Sequence, residues 1–255
     1  MTADFIELDA VRLEVRRIAG TRPGPTLVFL HEGLGSIGQW RDFPDKVAAA
    51  TGLPVVVYAR RGYGRSSARA GSYGLDFMHR EALETLPKVL DHLGLEAPLL
   101  VGHSDGASIA LVHAGGGGRQ VAGVVAMAPH VFVEAVTVAS IAKAADAARG
   151  TDLIERLGRY HDRPDQVFWG WNDVWLLPEF CDWNIEEYLP HITAPVLAIQ
   201  GEDDEYGTLA QIDAIERGLT APFERMVLAD CKHSPQRDQE QATLKAIVDF
   251  AQGVT

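Results

Sequence analysis

The chain has 255 residues, with 23 Lys and Arg against 35 Asp and Glu and a formal net charge of −12. With 47% apolar and 23% charged residues it is neither disordered nor fibrous, and two cysteines, Cys181 and Cys231, are too few for a disulfide scaffold or a Cys-rich zinc site. An acidic surface repels nucleic-acid phosphates and anionic lipids, no apolar run approaches the ~20 residues that span a bilayer, and the opening residues, with Asp4, Glu7 and Asp9, lack the apolar core of a secretory signal, so a soluble, cytoplasmic protein without nucleic-acid or membrane partners is expected.

Residues 5–17 alternate as one or two strands, with a turn near Asp9-Ala10. After the breaker 21–25, residues 26–30 are a short, fully apolar strand. Residues 40–51 read as a helix and 54–59 as a second buried strand. A helix is predicted over 75–93, where Leu86, Val89, Leu90 and Leu93 fall at i, i+3, i+4 and i+7. Pro87 would kink it and Gly94 would end it. Residues 98–102 form a third buried strand and 105–114 a helix of small residues, closed by the glycine run 115–118. Strands follow over 121–128, 196–200 and 226–229. A helix carrying Ile212, Ile215 and Leu219 lies between the last two, and the final helix has Leu244, Ile247, Val248 and Ala251 on one stripe.

Short apolar strands separated by helices specify a mostly parallel sheet covered on both faces, an α/β architecture. The rhythm breaks once. Between Pro129 and Thr193 no strand is evident, and two or three helices fit. Residues 130–192 are therefore read as an insertion over a core formed by 1–129 and 193–255. Four of the five tryptophans lie in it: Trp169, Trp171, Trp175 and Trp183. Trp171 and Trp175 share a helical stripe with Val167, Phe168 and Val174, and Trp169 points off it. At least one of the four is expected to face an apolar substrate pocket.

The sharpest chemical signal is Gly102-His103-Ser104-Asp105-Gly106, a G-x-S-x-G between a strand and a helix. Such a turn exposes the serine at the strand's end, and the helix that follows aims its first N–H groups at developing negative charge. A serine hydroxyl needs a base and an orienting acid. Glu202-Asp203-Asp204-Glu205 follows one strand and His233 another, and loops at the C-terminal ends of parallel strands open on one edge of the sheet. The loop His31-Glu32-Gly33-Leu34-Gly35-Ser36 can point a backbone N–H at an oxyanion, with the N–H of Asp105 as the second donor. His31 itself reads as a packing residue beneath that loop.

These stretches, together with Arg60-Arg61-Gly62-Tyr63-Gly64-Arg65-Ser66 and Gly201 to Asp204, resemble the α/β-hydrolase superfamily over residues 26–250, nearly the whole chain. The resemblance implies an eight-stranded, mostly parallel sheet, a helical cap between strands six and seven, and a triad of Ser104, His233 and Asp204, the acid falling at the fourth position of Gly201-x-x-Asp. Asp203 is left to hold the turn through its side chain. Many members begin the oxyanion loop His-Gly. Here Glu32 intervenes, which leaves Gly33 and Leu34 as alternatives for the first donor. The stretch 60–66 is implied to be a structural turn of the pocket wall. The chemistry requires no metal or organic cofactor, and H-E-x-x-H is absent from the sequence. The expected partner is a small-molecule ester, thioester or lactone, apolar or aromatic near its carbonyl. Carbon–carbon bond hydrolysis of ring-cleavage products on the same triad is the alternative, and a ligand-binding module with little turnover is the rival from another class. Oligomeric state is not encoded in any of these features.

Overall fold

The computed structural model describes residues 4–254; residues 1–3 and 255, which the expected core spans include, lie outside the described residues. Eight strands form one sheet: β1 (Asp4–Leu8), β2 (Val11–Ile18), β3 (Leu27–Leu30), β4 (Val55–Tyr58), β5 (Leu99–His103), β6 (Gly123–Met127), β7 (Val196–Gly201) and β8 (Phe223–Leu228). Their order is β1-β2-β4-β3-β5-β6-β7-β8, with β2 antiparallel to β1 and β4 and the remaining pairs parallel.

The helices are α1 (Phe43–Thr51), α2 (Phe77–Arg80), α3 (Leu86–Leu93), α4 (Asp105–Gly116), α5 (Ala135–Gly150), α6 (Leu153–Leu157), α7 (Pro164–Trp175), α8 (Ala210–Gly218), α9 (Pro235–Asp238) and α10 (Glu240–Gly253). Strand alternation divides the core between the two faces of the sheet. Val28, Leu30, Val56, Leu100, Val124 and Ala198 pack with α3, α4 and α8. Leu27, Phe29, Val57, Val101, Val125 and Ile199 pack with α1 and α10 through Phe43, Val47, Ile247 and Phe250. No helix among the described residues is long and apolar enough to cross a membrane.

Four local features differ from the sequence reading. The helix expected over 75–93 is divided by a wide turn at Glu81–Thr85 between α2 and α3. Proline cannot donate to the carbonyl four residues back and its ring crowds it, so the helix widens just before Pro87. The glycine run does not stop α4, which continues through Gly115 and Gly116. A Cβ on Gly115 would overlap the carbonyl oxygen of Tyr188, so the missing side chains there allow close packing. Strand β8 begins three residues earlier than expected. It is an edge strand, so Glu224 and Arg225 stay exposed while their backbones pair with β7. Asp203 is exposed and does not hold its turn through its side chain. Its N–H bonds Cys231 O at 3.0 Å, and Asp204 Oδ1 accepts the N–H groups of Tyr206 and Gly207 at 2.8 and 3.3 Å.

Between β6 and β7 the chain forms α5, α6, α7 and the short 3-10 turns Pro178–Asp182 and Glu186–His191. Within it Phe132 and Asn184 pair in an antiparallel bridge, and Ile185 N–H donates to Val131 O at 2.8 Å.

Candidate active site

The parallel strands β3 to β8 deliver their following loops to one edge of the sheet. Ser104 stands there between β5 and α4 with φ 54° and ψ −121°, a left-handed backbone unusual for a residue with a side chain. The two glycines of the motif make the bend possible. A Cβ on Gly102 would overlap Gly106 O, and one on Gly106 would overlap Leu30 O on the neighbouring strand. The strained turn is thus held by tight crossing of the β5–α4 bend over the end of β3.

Ser104, His233 and Asp204 come together. His233 Nε2 is 2.9 Å from Ser104 Oγ, and His233 Nδ1 is 2.8 and 3.0 Å from the two oxygens of Asp204. Gln200 Nε2 donates to Asp204 Oδ2 at 3.0 Å, so the acid is fixed from β7 as well as from its own turn. Burial alone would push the His233 imidazole down. The hydrogen bond and charge of Asp204, with Glu205 and Glu32 beyond, outweigh burial and hold it above the ordinary histidine value. Burial likewise works to raise Asp204, yet the His233 hydrogen bond and charge keep its carboxyl below the usual range. An arrangement of hydroxyl, imidazole and ionised acid at these distances can transfer the serine proton to His233 as Oγ attacks a carbonyl.

The N–H groups of Gly33, Leu34 and Asp105 carry no hydrogen bond among the described residues. The loop bearing the first two is pinned by residues other than Ser104, His233 and Asp204. His31 is fully buried; its Nδ1 donates to Glu32 O at 2.8 Å, and its Nε2 accepts Arg60 N–H at 3.1 Å. The Arg60 guanidinium, 5% exposed, donates to His31 O at 2.6 Å and Glu32 O at 3.0 Å. The 60–66 turn is therefore what holds the loop. Arg60 lies just beyond β4, on the edge where Ser104 stands.

A cavity of about 250 Å³ opens over Ser104. Apolar side chains of Leu34, Ile141, Leu153, Leu157, Trp171 and Trp175 line much of it, together with His130, Thr137, Tyr206 and Arg237. Helix α7 buries Val167, Phe168, Trp171, Val174 and Trp175, as its stripe predicts, and the last turn of that stripe faces the serine. Trp169 and Trp183 do not line the cavity. Trp169 packs edge-on against Phe168 beneath Arg149, and Trp183 stacks on Phe180 with ring centroids 5.6 Å apart. Position 169 lies off the α7 stripe, and Trp183 packs with Phe180 behind Trp175, whose indole comes between it and the cavity.

His130, His103 and Tyr206 were not singled out from the sequence. Burial, with the charge of His233, lowers His130 to about 3, so it stays neutral beside His233. The Tyr206 ring packs 4.7 Å from His233. No cluster of three His, Cys, Asp or Glu among the described residues is arranged to hold a metal ion.

A family model described as the alpha/beta hydrolase family matches residues 27–246, and the chain belongs to that family. Solved structures agree on the fold. An enol-lactonase from Burkholderia xenovorans LB400 matches with TM-score 0.74 at 20% identity, over 97% of this chain and 99% of that one. A thermophilic esterase from Thermogutta terrifontis matches with TM-score 0.72 at 18% identity, over 100% and 99%. A membrane phospholipase A described as a bacterial virulence factor matches with TM-score 0.79 at 19% identity, over 99% and 86%.

Proposed function

We propose that the protein is a serine hydrolase of small carboxylic esters, thioesters or lactones that are apolar or aromatic near the carbonyl. The observation that carries this reading is Ser104 Oγ within 2.9 Å of His233 Nε2, beneath a largely apolar cavity of about 250 Å³. In this mechanism His233 removes the serine proton as Oγ bonds to the carbonyl carbon. The N–H of Asp105, with that of Gly33 or Leu34, receives the oxyanion. The intermediate collapses as His233 protonates the leaving group, giving an acyl-enzyme. Water then attacks with His233 as base, and the acid leaves from Ser104. Asp204 keeps the imidazole in the tautomer whose Nε2 accepts a proton and stabilises its charged form. Residues 130–192 act as the cap that sets substrate shape over the 1–129 and 193–255 core.

The test is a screen of p-nitrophenyl esters of graded acyl length, lactones and a ring-cleavage product, with fluorophosphonate labelling. Short or medium acyl esters should turn over, and Ser104→Ala should abolish labelling and lower kcat by on the order of 10³–10⁶ while the fold is retained. Turnover of the ring-cleavage product alone would move the reading to carbon–carbon hydrolysis. Labelling without turnover of any compound would favour a binding module.

A further inference from the structure

Asp105, the first residue of α4, follows the nucleophile and is 1% exposed. Neither of its carboxylate oxygens has a partner at full hydrogen-bond geometry among the described residues, although the Trp175 indole N–H is near enough to favour its ionised form. The Arg60 guanidinium approaches only to 3.9 Å, and its N–H groups already serve the carbonyls of His31 and Glu32. A buried carboxylate this poorly supplied with donors is costly, and a group in that condition beside Ser104 is a place for a ligand's donor.

Asp105 is one of the residues around the Ser104 cavity, with both carboxylate oxygens buried just behind its surface. A Cβ on Gly33 would lie 3.1 Å from Asp105 Oδ2 and would overlap Trp171 Nε1, so the oxyanion loop, the indole and the carboxylate meet at one point. The leaving group of a bound ester must face His233, which protonates it. The wall with Gly33 and Asp105 then belongs to the acyl side. Since the N–H of Asp105 is one of the oxyanion donors, its carboxylate is one side-chain length from the carbonyl under attack. It is within reach of a substituent on the next carbon.

The surrounding charge has the same sign. Glu32 lines the cavity, Asp204 bonds the base, and Glu205 accepts the His233 N–H at 3.2 Å. With Asp105 these are four carboxylates, against the guanidinium groups of Arg60 and Arg237. Burial, opposed by Arg60, raises the Asp105 carboxyl to about 6, so it is ionised at neutral pH. An unneutralised carboxylate there opposes the oxyanion, and a bound cation removes that opposition.

We propose that Asp105 is a specificity residue whose carboxylate receives a protonated amine on the carbon beside the scissile carbonyl, making small apolar α-amino acid esters the preferred substrates. This rests on the serine-hydrolase reading of the site. The ammonium group meets the carboxylate while the apolar side chain of the same acyl group fills the cavity between Leu34, Ile141 and Trp175.

The experiment compares three methyl esters of one carbon skeleton at pH 7: leucine methyl ester, methyl 4-methylpentanoate, and methyl 2-hydroxy-4-methylpentanoate. Acid release is followed for the wild type, Asp105→Asn and Ser104→Ala. The wild type should favour the amino ester over the unsubstituted ester at least tenfold in kcat/KM, and Asp105→Asn should reduce that ratio at least tenfold, chiefly through KM. Preference for the unsubstituted or hydroxy ester, or an unchanged ratio in the variant, overturns the proposal. Should the variant not fold, inhibition of wild-type p-nitrophenyl butyrate turnover decides. 3-Methylbutylamine should inhibit at least tenfold more strongly than 3-methylbutan-1-ol, and equal inhibition overturns the proposal. Ester turnover with fluorophosphonate labelling, but none for the three test esters, overturns the proposal and leaves the hydrolase reading standing. Absence of any labelling or turnover overturns both.

Discussion

His103 Nε2 donates a 2.6 Å hydrogen bond to the carbonyl oxygen of His233, so the residue before Ser104 holds the backbone of His233. Gln236 Nε2 donates in turn to His103 Nδ1 at 3.2 Å, which sets the tautomer needed for the first bond. The strand carrying Ser104 and the loop carrying His233 are thereby registered to one another independently of Asp204. His103→Ala should lower kcat by roughly 10–100-fold, because small misplacements of a base are costly. KM should change much less. Steady-state kinetics on a p-nitrophenyl ester, with circular dichroism to verify folding, checks this.

The acidic limb of the kcat/KM profile should report His233. The base must be neutral to accept the serine proton, so the rate rises with pH through its pKa. Because Asp204, Glu205 and Glu32 outweigh burial and hold that pKa above the ordinary value of about 6.5, half-maximal activity should fall above that pH. Asp204→Asn should cut kcat strongly and move the limb downward, since the charge that raises the imidazole is gone. Asp203→Asn should leave both within about twofold, because the Asp203 side chain is exposed and its turn is held by backbone. A strong loss confined to Asp203→Asn would reassign the acid.

Much of this was legible in the residues. Val28, Val56, Leu100 and Val124 belong to short apolar runs that could only be buried strands, and the G-x-S-x-G placed Ser104 at the end of one of them. Edge strand β8 was read short because Glu224 and Arg225 carry no apolar signal, and pairing there uses backbone alone. Gly115 and Gly116 read as a break because their partner, Tyr188, lies far along the chain. The role of Arg60 was hidden for the same reason: its guanidinium acts on the carbonyls of His31 and Glu32, and a carbonyl leaves no trace in side-chain pattern. The α7 stripe was correct in position, but the stripe could not say which of its turns meets solvent, sheet or cavity.

The tryptophans should separate by place. Trp171→Ala and Trp175→Ala, which enlarge the cavity above Ser104, should shift preference toward longer acyl chains and change KM severalfold. Trp169→Ala and Trp183→Ala should keep the wild-type acyl ranking. Trp183, only 7% exposed and stacked on Phe180, should cost stability on the order of 3–5 kcal/mol on truncation. Acyl-length profiles and thermal melts on the four variants distinguish the two pairs.

Asp105 makes stability depend on pH with an unusual sign for a carboxylate. Its native pKa of about 6 lies above the value of about 3.9 in an unfolded chain. Between those values the native state keeps the proton and the unfolded state has released it, so stability falls as pH rises through that window. Asp105→Asn abolishes this dependence. Relative to wild type it should be stabilised at pH 8 by on the order of 2–3 kcal/mol, from about two pKa units. The difference should shrink toward pH 4. Denaturant unfolding at both pH values measures it, and an equal offset at both would show that Asp105 is not held in its protonated form by burial.

The bridge between Phe132 and Asn184 brings together two points more than fifty positions apart in the chain, the first shortly after β6 and the second before the 186–191 turn that leads to β7. In engineering terms the helices between them are a cassette on a single clasp. Ser104, His233 and Asp204 all stand on the sheet side of that clasp, whereas Trp171 and Trp175 stand on the other. Exchanging the stretch between the two clasp residues would exchange the roof of the cavity without touching a bond within the triad, and the length of the replacement would be limited only by whether its ends can meet at one bridge.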